Sequence, residues 1–188
     1  MKREDSINSM RKLLFATILI ACAASFSFAQ SKDEYNKYDV YLGYSHARVD
    51  FGGDREGFNG AEGAVTGNFS RYLGIKGDYA FHFKSFDAIP SNVDAKTHTL
   101  VGGLEIKDNS NETKVKPFAH LMAGFQHARV SGLVSDSETG FAGVVGAGLD
   151  IRVSPRVDVR VVQFDYSPTH LGGETQHNFR IGAGIVIR

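Results

Sequence analysis

The sequence predicts an all-β chain, an eight-stranded antiparallel up-and-down β-barrel that crosses a membrane. Three observations carry this expectation. Apolar residues recur with a period of two in eight separate segments after residue 37, and no helical period competes with them there. One face of each segment is apolar while the other holds small, polar and charged residues. The segments are joined alternately by tight turns and by polar stretches of about ten residues, an asymmetry seen in membrane barrels. A soluble sandwich would bury the apolar face and wet the charged one. A membrane barrel turns the same faces round, with the apolar side to lipid.

The chain has 188 residues, enough for one domain, with 21 basic and 21 acidic residues. That balance gives no electrostatic case for nucleic acid. Mean hydropathy is −0.19, too low for a helical membrane protein but ordinary for a barrel whose strands are half polar. One segment is strongly apolar, Leu13 to Ala29. It follows Arg11-Lys12 and ends Ser27-Phe28-Ala29, so residues 1–29 read as a signal peptide cut before Gln30. Translation starts at Met1 or at Met10, the latter giving the cleaner basic entry. The sole cysteine, Cys22, lies in this segment, and Leu19-Ile20-Ala21-Cys22 also reads as a lipidation signal. The two fates of Cys22, removal or lipidation, stay open. Loss of residues 1–29 takes away four basic and two acidic residues and leaves 17 basic and 19 acidic. Residues 30–37 read as a flexible lead-in to a barrel domain over 38–188.

The strands follow in order. In the first, Tyr38–Val49, the residues Val40, Leu42 and Tyr44 oppose Asp39, Tyr41, Gly43 and Ser45. In the second, Ala61, Val65 and Phe69 oppose Glu62, Ala64, Thr66 and Asn68. The third is the clearest, with Ile75, Tyr79, Phe81 and Phe83 against Lys76, Asp78, Ala80, His82 and Lys84. In the fourth, His98, Leu100, Leu104 and Ile106 oppose Thr97, Thr99, Val101, Gly103 and Glu105. In the fifth, Ala119, Leu121, Ala123 and Phe125 oppose Phe118, His120, Met122, Gly124 and Gln126. A hairpin supplies the sixth and seventh. Phe141, Val145, Ala147, Leu149 and Ile151 share one face, Pro155-Arg156 turns the chain, and Val157, Val159 and Val161 oppose Asp158 and Arg160. The eighth sets Phe179, Ile181, Ala183, Ile185 and Ile187 against Asn178, Arg180, Gly182, Gly184 and Val186.

Strands of about 10 to 12 residues suit a tilted membrane crossing. Asp50–Asn59, Ser85–Lys96, Ser131–Thr139 and Ser167–Gln176 read as loops, with contact sites near Gly53, Ile89, Val134 and Gly172. Strict alternation in the seventh strand would send Gln163 and Asp165 to the apolar face. A β-bulge at Val161-Val162 would turn both inward and Phe164 and Tyr166 outward. Tyr38 and Tyr72 fall at the tight-turn end, and Tyr44, Phe81, Phe83, Phe125, Phe141, Phe164, Tyr166 and Phe179 towards the other, as two aromatic girdles. Gly43–Val49 (GYSHARV) and Gly124–Val130 (GFQHARV) repeat each other four strands apart, either by duplication or through a shared position at the rim.

The chain resembles the small eight-stranded outer-membrane β-barrel family, the OmpA/OmpX-like outer membrane protein β-barrel domains, some of them porin-like. The resemblance rests on Tyr41-Leu42-Gly43-Tyr44-Ser45, on Val65-Thr66-Gly67-Asn68 leading to Tyr72-Leu73-Gly74, and on Lys116-Pro117-Phe118-Ala119-His120. Arg160-Val161-Val162-Gln163 and Asn178 to Val186 complete it. It implies location in the cell outer membrane, the lipid bilayer as partner, and help from the outer-membrane assembly machinery. Family members usually end in an aromatic residue; this chain ends Ile187-Arg188.

The inward set includes Glu62, Lys76, Asp78, Lys84, Glu105, Asp150, Arg152, Asp158, Arg160 and Arg180. Eight strands enclose a lumen just wide enough for side chains. These charges therefore read as an ion-pair network that plugs the barrel, or as the lining of a narrow gated pore. The seven His are scattered over strands and loops with no Cys to help them, so no metal or cofactor is expected. Ser45-His46, with Glu62 across, is the nearest thing to a catalytic set, but strand neighbours face opposite ways. No enzyme activity is expected. The expected role is structural or surface-interacting, with a small porin-like channel as the alternative. A lipocalin-like carrier or a lipid-modifying enzyme ranks below both. No surface partner is named by the sequence.

Overall fold

The computed structural model describes residues 35–51, 54–86, 93–131 and 135–188. Residues 1–29, the expected signal peptide with Cys22, and the expected contact positions Gly53, Ile89 and Val134 lie outside the described residues. The described chain forms eight strands: β1 Tyr38–Phe51, β2 Asp54–Asn68, β3 Leu73–Phe86, β4 Val93–Lys107, β5 Val115–Ser131, β6 Asp136–Ser154, β7 Val157–Leu171 and β8 Glu174–Ile187. Each pairs antiparallel with its neighbour, and β8 closes on β1 through a ladder from Val40↔Ile187 to Arg48↔Phe179. Closure removes every sheet edge, which a bilayer requires because unpaired backbone groups find no water there.

The face assignments hold. Leu42, Val65, Ile75, Leu100, Leu104, Leu121, Val145, Ile181 and Ile185 point outward and stay about half exposed. The opposite parity is buried within the barrel. The girdle residues Tyr38 and Tyr72, and at the far end Tyr44, Phe83, Phe125, Phe141 and Phe164, are all outward and exposed. The bulge falls where expected. Leu149 pairs with Val162 but Asp150 with Arg160, and the β7–β8 register shifts between Arg160 and Gln163. Val161 and Val162 are both exposed, and Gln163 and Asp165 are buried. One extra residue thus reverses the upper half of β7 so that its polar parity faces the lumen.

Three expectations are corrected. The polar stretches taken as ten-residue loops continue the ladder: Asp50 pairs with Arg55, Lys96 with Arg129, His127 with Thr139 and Thr169 with Gln176. Strands therefore run 14 to 19 residues. Pairing satisfies backbone groups whatever the side chains, so hydrophilic strands extend past the apolar band. Connections consequently do not sort by length, and Gly172-Gly173 alone link β7 to β8, both with positive φ, 60° and 82°. That pair of left-handed conformations is the hairpin geometry that favours glycine. The lead-in is also tied down at its end. Tyr35 bridges Ser110, Asn36 N–H donates to Asn109 O at 3.0 Å, and Asn68 N–H donates to Lys37 O at 2.7 Å.

Candidate functional site

The lumen collects the polar face of every strand. Among the described residues, seven carboxylates (Asp39, Glu62, Asp78, Glu105, Asp150, Asp158 and Asp165) meet seven cationic side chains (Lys76, Lys107, Lys116, Arg152, Arg160, Arg180 and Arg188). A lone charge in a low-dielectric interior is costly, so mutual pairing is the condition for keeping any of them there.

At the turn end, Lys107 Nζ lies 2.6 Å from Asp39 and 3.5 Å from both Glu105 and Asp150. Lys116 donates to Asp158 at 2.9 Å, and Arg188 reaches Asp39 and Asp158 at 3.7 Å each. Arg188 also donates to Asn109 O at 2.7 Å, and Arg152 to the carbonyls of Ser110 and Asn111. Outside the bilayer, Arg71 grips Asp108 at 3.0 Å. That hydrogen bond, with others from Thr113 and the Ser110 N–H, holds the Asp108 carboxyl well below the usual carboxylate range.

In the middle, Arg160 makes a bidentate contact with Asp150 at 2.8 and 3.0 Å and donates to Gln163 Oε1 at 2.7 Å. Its guanidinium packs over Phe118 at 4.0 Å and Tyr41 at 4.3 Å. The planar fork suits both the carboxylate and the ring faces. Lys76 lies 3.5 Å from Glu105 and donates to His120 Nδ1 at 3.2 Å. The His120 ring proton then sits on Nε2 and is given to Asp165 at 2.9 Å.

The third layer centres on Arg180, which touches Asp165 at 2.6 Å, Asp78 at 3.2 Å and Glu62 at 3.5 Å. Gln163 links layers by donating to Glu62 and Asp165, each at 2.7 Å. Further along, Ser45 is hydrogen-bonded to His82 at 2.9 Å and Thr99 to Gln126 at 3.1 Å. An apolar cap of Ala47, Val49, Phe58 and Ala95, with Phe86 against it, ends the packed interior.

All the sequence-predicted lumen charges enter this network except Lys84. It faces inward but pairs with Glu56 at the mouth, where its side chain is 26 % exposed. Sequence reasoning missed Lys107, Lys116 and Arg188; it placed Asp39, His120, Gln163 and Asp165 on the inward face without including them among the network charges. The signal was available: each shares the parity of an inward neighbour once the strands are extended and the bulge applied. Ser45 and His46 do face opposite ways, and Ser45 finds His82 instead. His98 and His127, far apart in sequence, are direct cross-strand partners. Among the described residues no group of three or more His, Cys, Asp or Glu is placed to hold a metal ion.

A closed eight-stranded barrel with an apolar outer wall and a charged, packed interior is the architecture of small outer-membrane proteins. The sequence matches the family model described as outer membrane protein beta-barrel domain over residues 15–186, and the chain belongs to that family, which places it in the cell outer membrane. Among solved structures it is similar to Neisserial surface protein A, at 14 % identity and TM-score 0.66, covering 82 % of this chain and 99 % of that one. It is also similar to Ail of Yersinia pestis, crystallised with the heparin analogue sucrose octasulfate, at 21 % identity and TM-score 0.57, covering 80 % and 97 %. No curated protein matches the sequence.

Proposed function

We propose that this protein is a plugged outer-membrane barrel whose role is structural, with its surface contacts made by the strand ends beyond the apolar band. One observation carries the reading: Arg160 within the lumen is 2 % exposed, and Lys107 and Lys116, towards the turn end, are as closed to water. An open pore would wet its lining charges. The reading assigns no catalysis, since Ser45 and its partner His82 are both buried. It takes residues 1–29 as a removed signal peptide; an intact mass of the outer-membrane form beginning at Gln30 supports this, and acyl chains on Cys22 would refute it.

The test is planar-bilayer conductance of the refolded barrel. The plugged reading expects no unitary steps from the wild type, and steps from a variant with Arg160→Ala and Lys107→Ala together. Regular steps from the wild type would favour the small channel instead.

A further inference from the structure

Seven of the eight ladders join strands that are consecutive in sequence, so a short connection keeps each pair together. The β1–β8 seam is the exception, because β1 and β8 are the first and last strands. Bringing the ends of so long a stretch together costs more entropy than closing a short turn. The seam ladder, from Val40↔Ile187 to Arg48↔Phe179, is also shorter than any other among the described residues. At the Arg48 end a side chain extends it, Asp50 N–H donating to Asn178 Oδ1 at 2.9 Å. The Val40 end, at the turn side of the barrel, is held from the opposite wall.

In a ring of eight strands the β4–β5 junction lies opposite the seam. Its turn nevertheless reaches across. Asn109 and Ser110 are only 1 % and 4 % exposed, although polar residues at a strand connection ordinarily face water. Asn109 O accepts two hydrogen bonds, from Asn36 N–H at 3.0 Å and from Arg188 Nη2 at 2.7 Å. Asn36 stands two residues ahead of β1 and Arg188 directly after β8. A carbonyl oxygen has two lone pairs, and here one oxygen ties both strands of the seam. Tyr35 bridges Ser110 alongside, and Lys107 at the end of β4 reaches Asp39 of β1 at 2.6 Å. Asn68 keeps the segment before β1 in place, its N–H donating to Lys37 O at 2.7 Å and its Nδ2 to Asn36 O at 2.9 Å.

The turn is held in this pose by elements other than the seam strands. Lys107 N–H donates to Tyr72 O at 3.0 Å and Asn109 N–H to Arg71 O at 2.8 Å, so the β2–β3 turn supports it from one side. Arg152 of β6 supports it from another, donating to Ser110 O at 3.1 Å and to Asn111 O. Within the turn, Asp108 accepts the Ser110 N–H at 3.0 Å and the Thr113 hydroxyl at 2.7 Å. The result is a braced crosspiece over the lumen floor. Its base rests on the β2–β3 turn and β6, and its tip, the Asn109 carbonyl, rests on the seam.

We propose that the β4–β5 turn is a latch on the β1–β8 seam, and that releasing its tip lets the seam part from the turn end while the other ladders stay closed. Strand pairs open by fraying from their ends, so bonds at an end govern the run behind them. One of the two bonds at this end has a charged donor, the stronger kind. Behind the latch Tyr41 pairs with Val186 and Gly43 with Gly184, and both Tyr41 and Val186 are buried in the lumen. A parted seam therefore opens the lower lumen sideways. The latch does not depend on the plugged reading, since a conducting barrel needs the same closure.

The test is amide hydrogen exchange, read residue by residue, on the full barrel refolded in zwitterionic detergent. Asn36→Pro deletes the donor N–H, while Asn36→Ala keeps it and removes only the side chain that bonds Tyr38 O and Asp39. Arg188→Gln removes the charged donor and leaves Asp39 with Lys107 and Asp158 with Lys116. With Asn36→Pro and Arg188→Gln together, exchange from Tyr41 to Gly43 and from Gly184 to Val186 is expected to quicken about tenfold or more relative to Asn36→Ala, the worth of a lost hydrogen bond to a charged donor. Exchange in the β5–β6 ladder around Leu121 and Val145 is expected to stay at the wild-type rate. Faster exchange confined to Asn109 and Ser110 makes the turn a floor cover and no latch, and overturns the proposal. An equal rise in every ladder overturns it too, since the bonds then serve general stability. Should the double variant give no heat-shifted folded band on SDS gels, Arg188→Gln alone is expected to quicken exchange at the same seam residues and not in β5–β6, and an unchanged seam there is equally contrary.

Discussion

Arg160→Ala is the sharpest test of the packed lumen. The substitution removes the bidentate contact to Asp150 and the bond to Gln163, and lifts the guanidinium from Phe118 and Tyr41. Asp150 is 0 % exposed and keeps Lys107 at 3.5 Å. Stripping one partner from a buried pair costs about 3–5 kcal/mol. The remaining Lys107 contact reduces that, while the lost ring contacts add about 1 kcal/mol, so a net loss of about 3–4 kcal/mol is expected. The sequence has no Trp, so unfolding is followed in urea by unheated gel mobility and far-ultraviolet circular dichroism. The mechanism makes a second demand. If the cost lies in a stranded carboxylate, adding Asp150→Asn to Arg160→Met recovers at least about half of it. A variant with Arg160→Ala within about 1 kcal/mol of wild type would refute the idea that the network holds the barrel.

Other outcomes follow from particular residues. Deleting Val162 removes the extra residue of the bulge while Arg160, Gln163 and Asp165 keep their inward parity in a regular ladder, so the heat-shifted folded band is expected to survive on SDS gels. Gly103→Ala would place Cβ 2.0 Å from Leu121 O and is expected to destabilise by about 1–3 kcal/mol. Gly102→Ala meets nothing closer than Lys76 O at 3.7 Å and is expected to stay within about 0.5 kcal/mol in the same urea titration. The Asp108 carboxyl is depressed by its bond to Arg71. Its unfolded form takes a proton first, so its contribution to the β4–β5 turn is full above about pH 4 and declines as pH falls below the usual carboxylate range. Hydrogen exchange at the Ser110 amide, which donates to Asp108, is expected to quicken there beyond the intrinsic rate, and Asp108→Asn removes that excess.

Strand identity and face were legible because both depend on local chemistry. The alternation of Ile75, Tyr79, Phe81 and Phe83 with Lys76, Asp78, His82 and Lys84 needs no knowledge of neighbours, since successive strand residues must point opposite ways. The bulge was legible for the same reason: Gln163 and Asp165 broke a pattern that Val157, Val159 and Val161 had set. Strand ends were not legible. Polar residues such as Asp50 and Arg55 read as loop, yet the two pair with each other because each strand continues beside the other. Lys107 and Lys116 were lost from the lumen set on that account.

The sequence by itself determined the all-β class, the lipid-facing wall, the inward parity and the place where that parity slips, because side-chain direction along a strand is set residue by residue. Only the tertiary structure decided which charges pair. Arg160 and Asp150 are joined across a hairpin, but Arg180 with Asp78 and Gln163 with Glu62 meet only because the sheet closes. Closure likewise brought Arg188, which follows the last strand, to Asp39 of the first and to Asp158 of the seventh. Register around a closed barrel is a global quantity, fixed by all eight ladders together, and no single segment of the chain contains it.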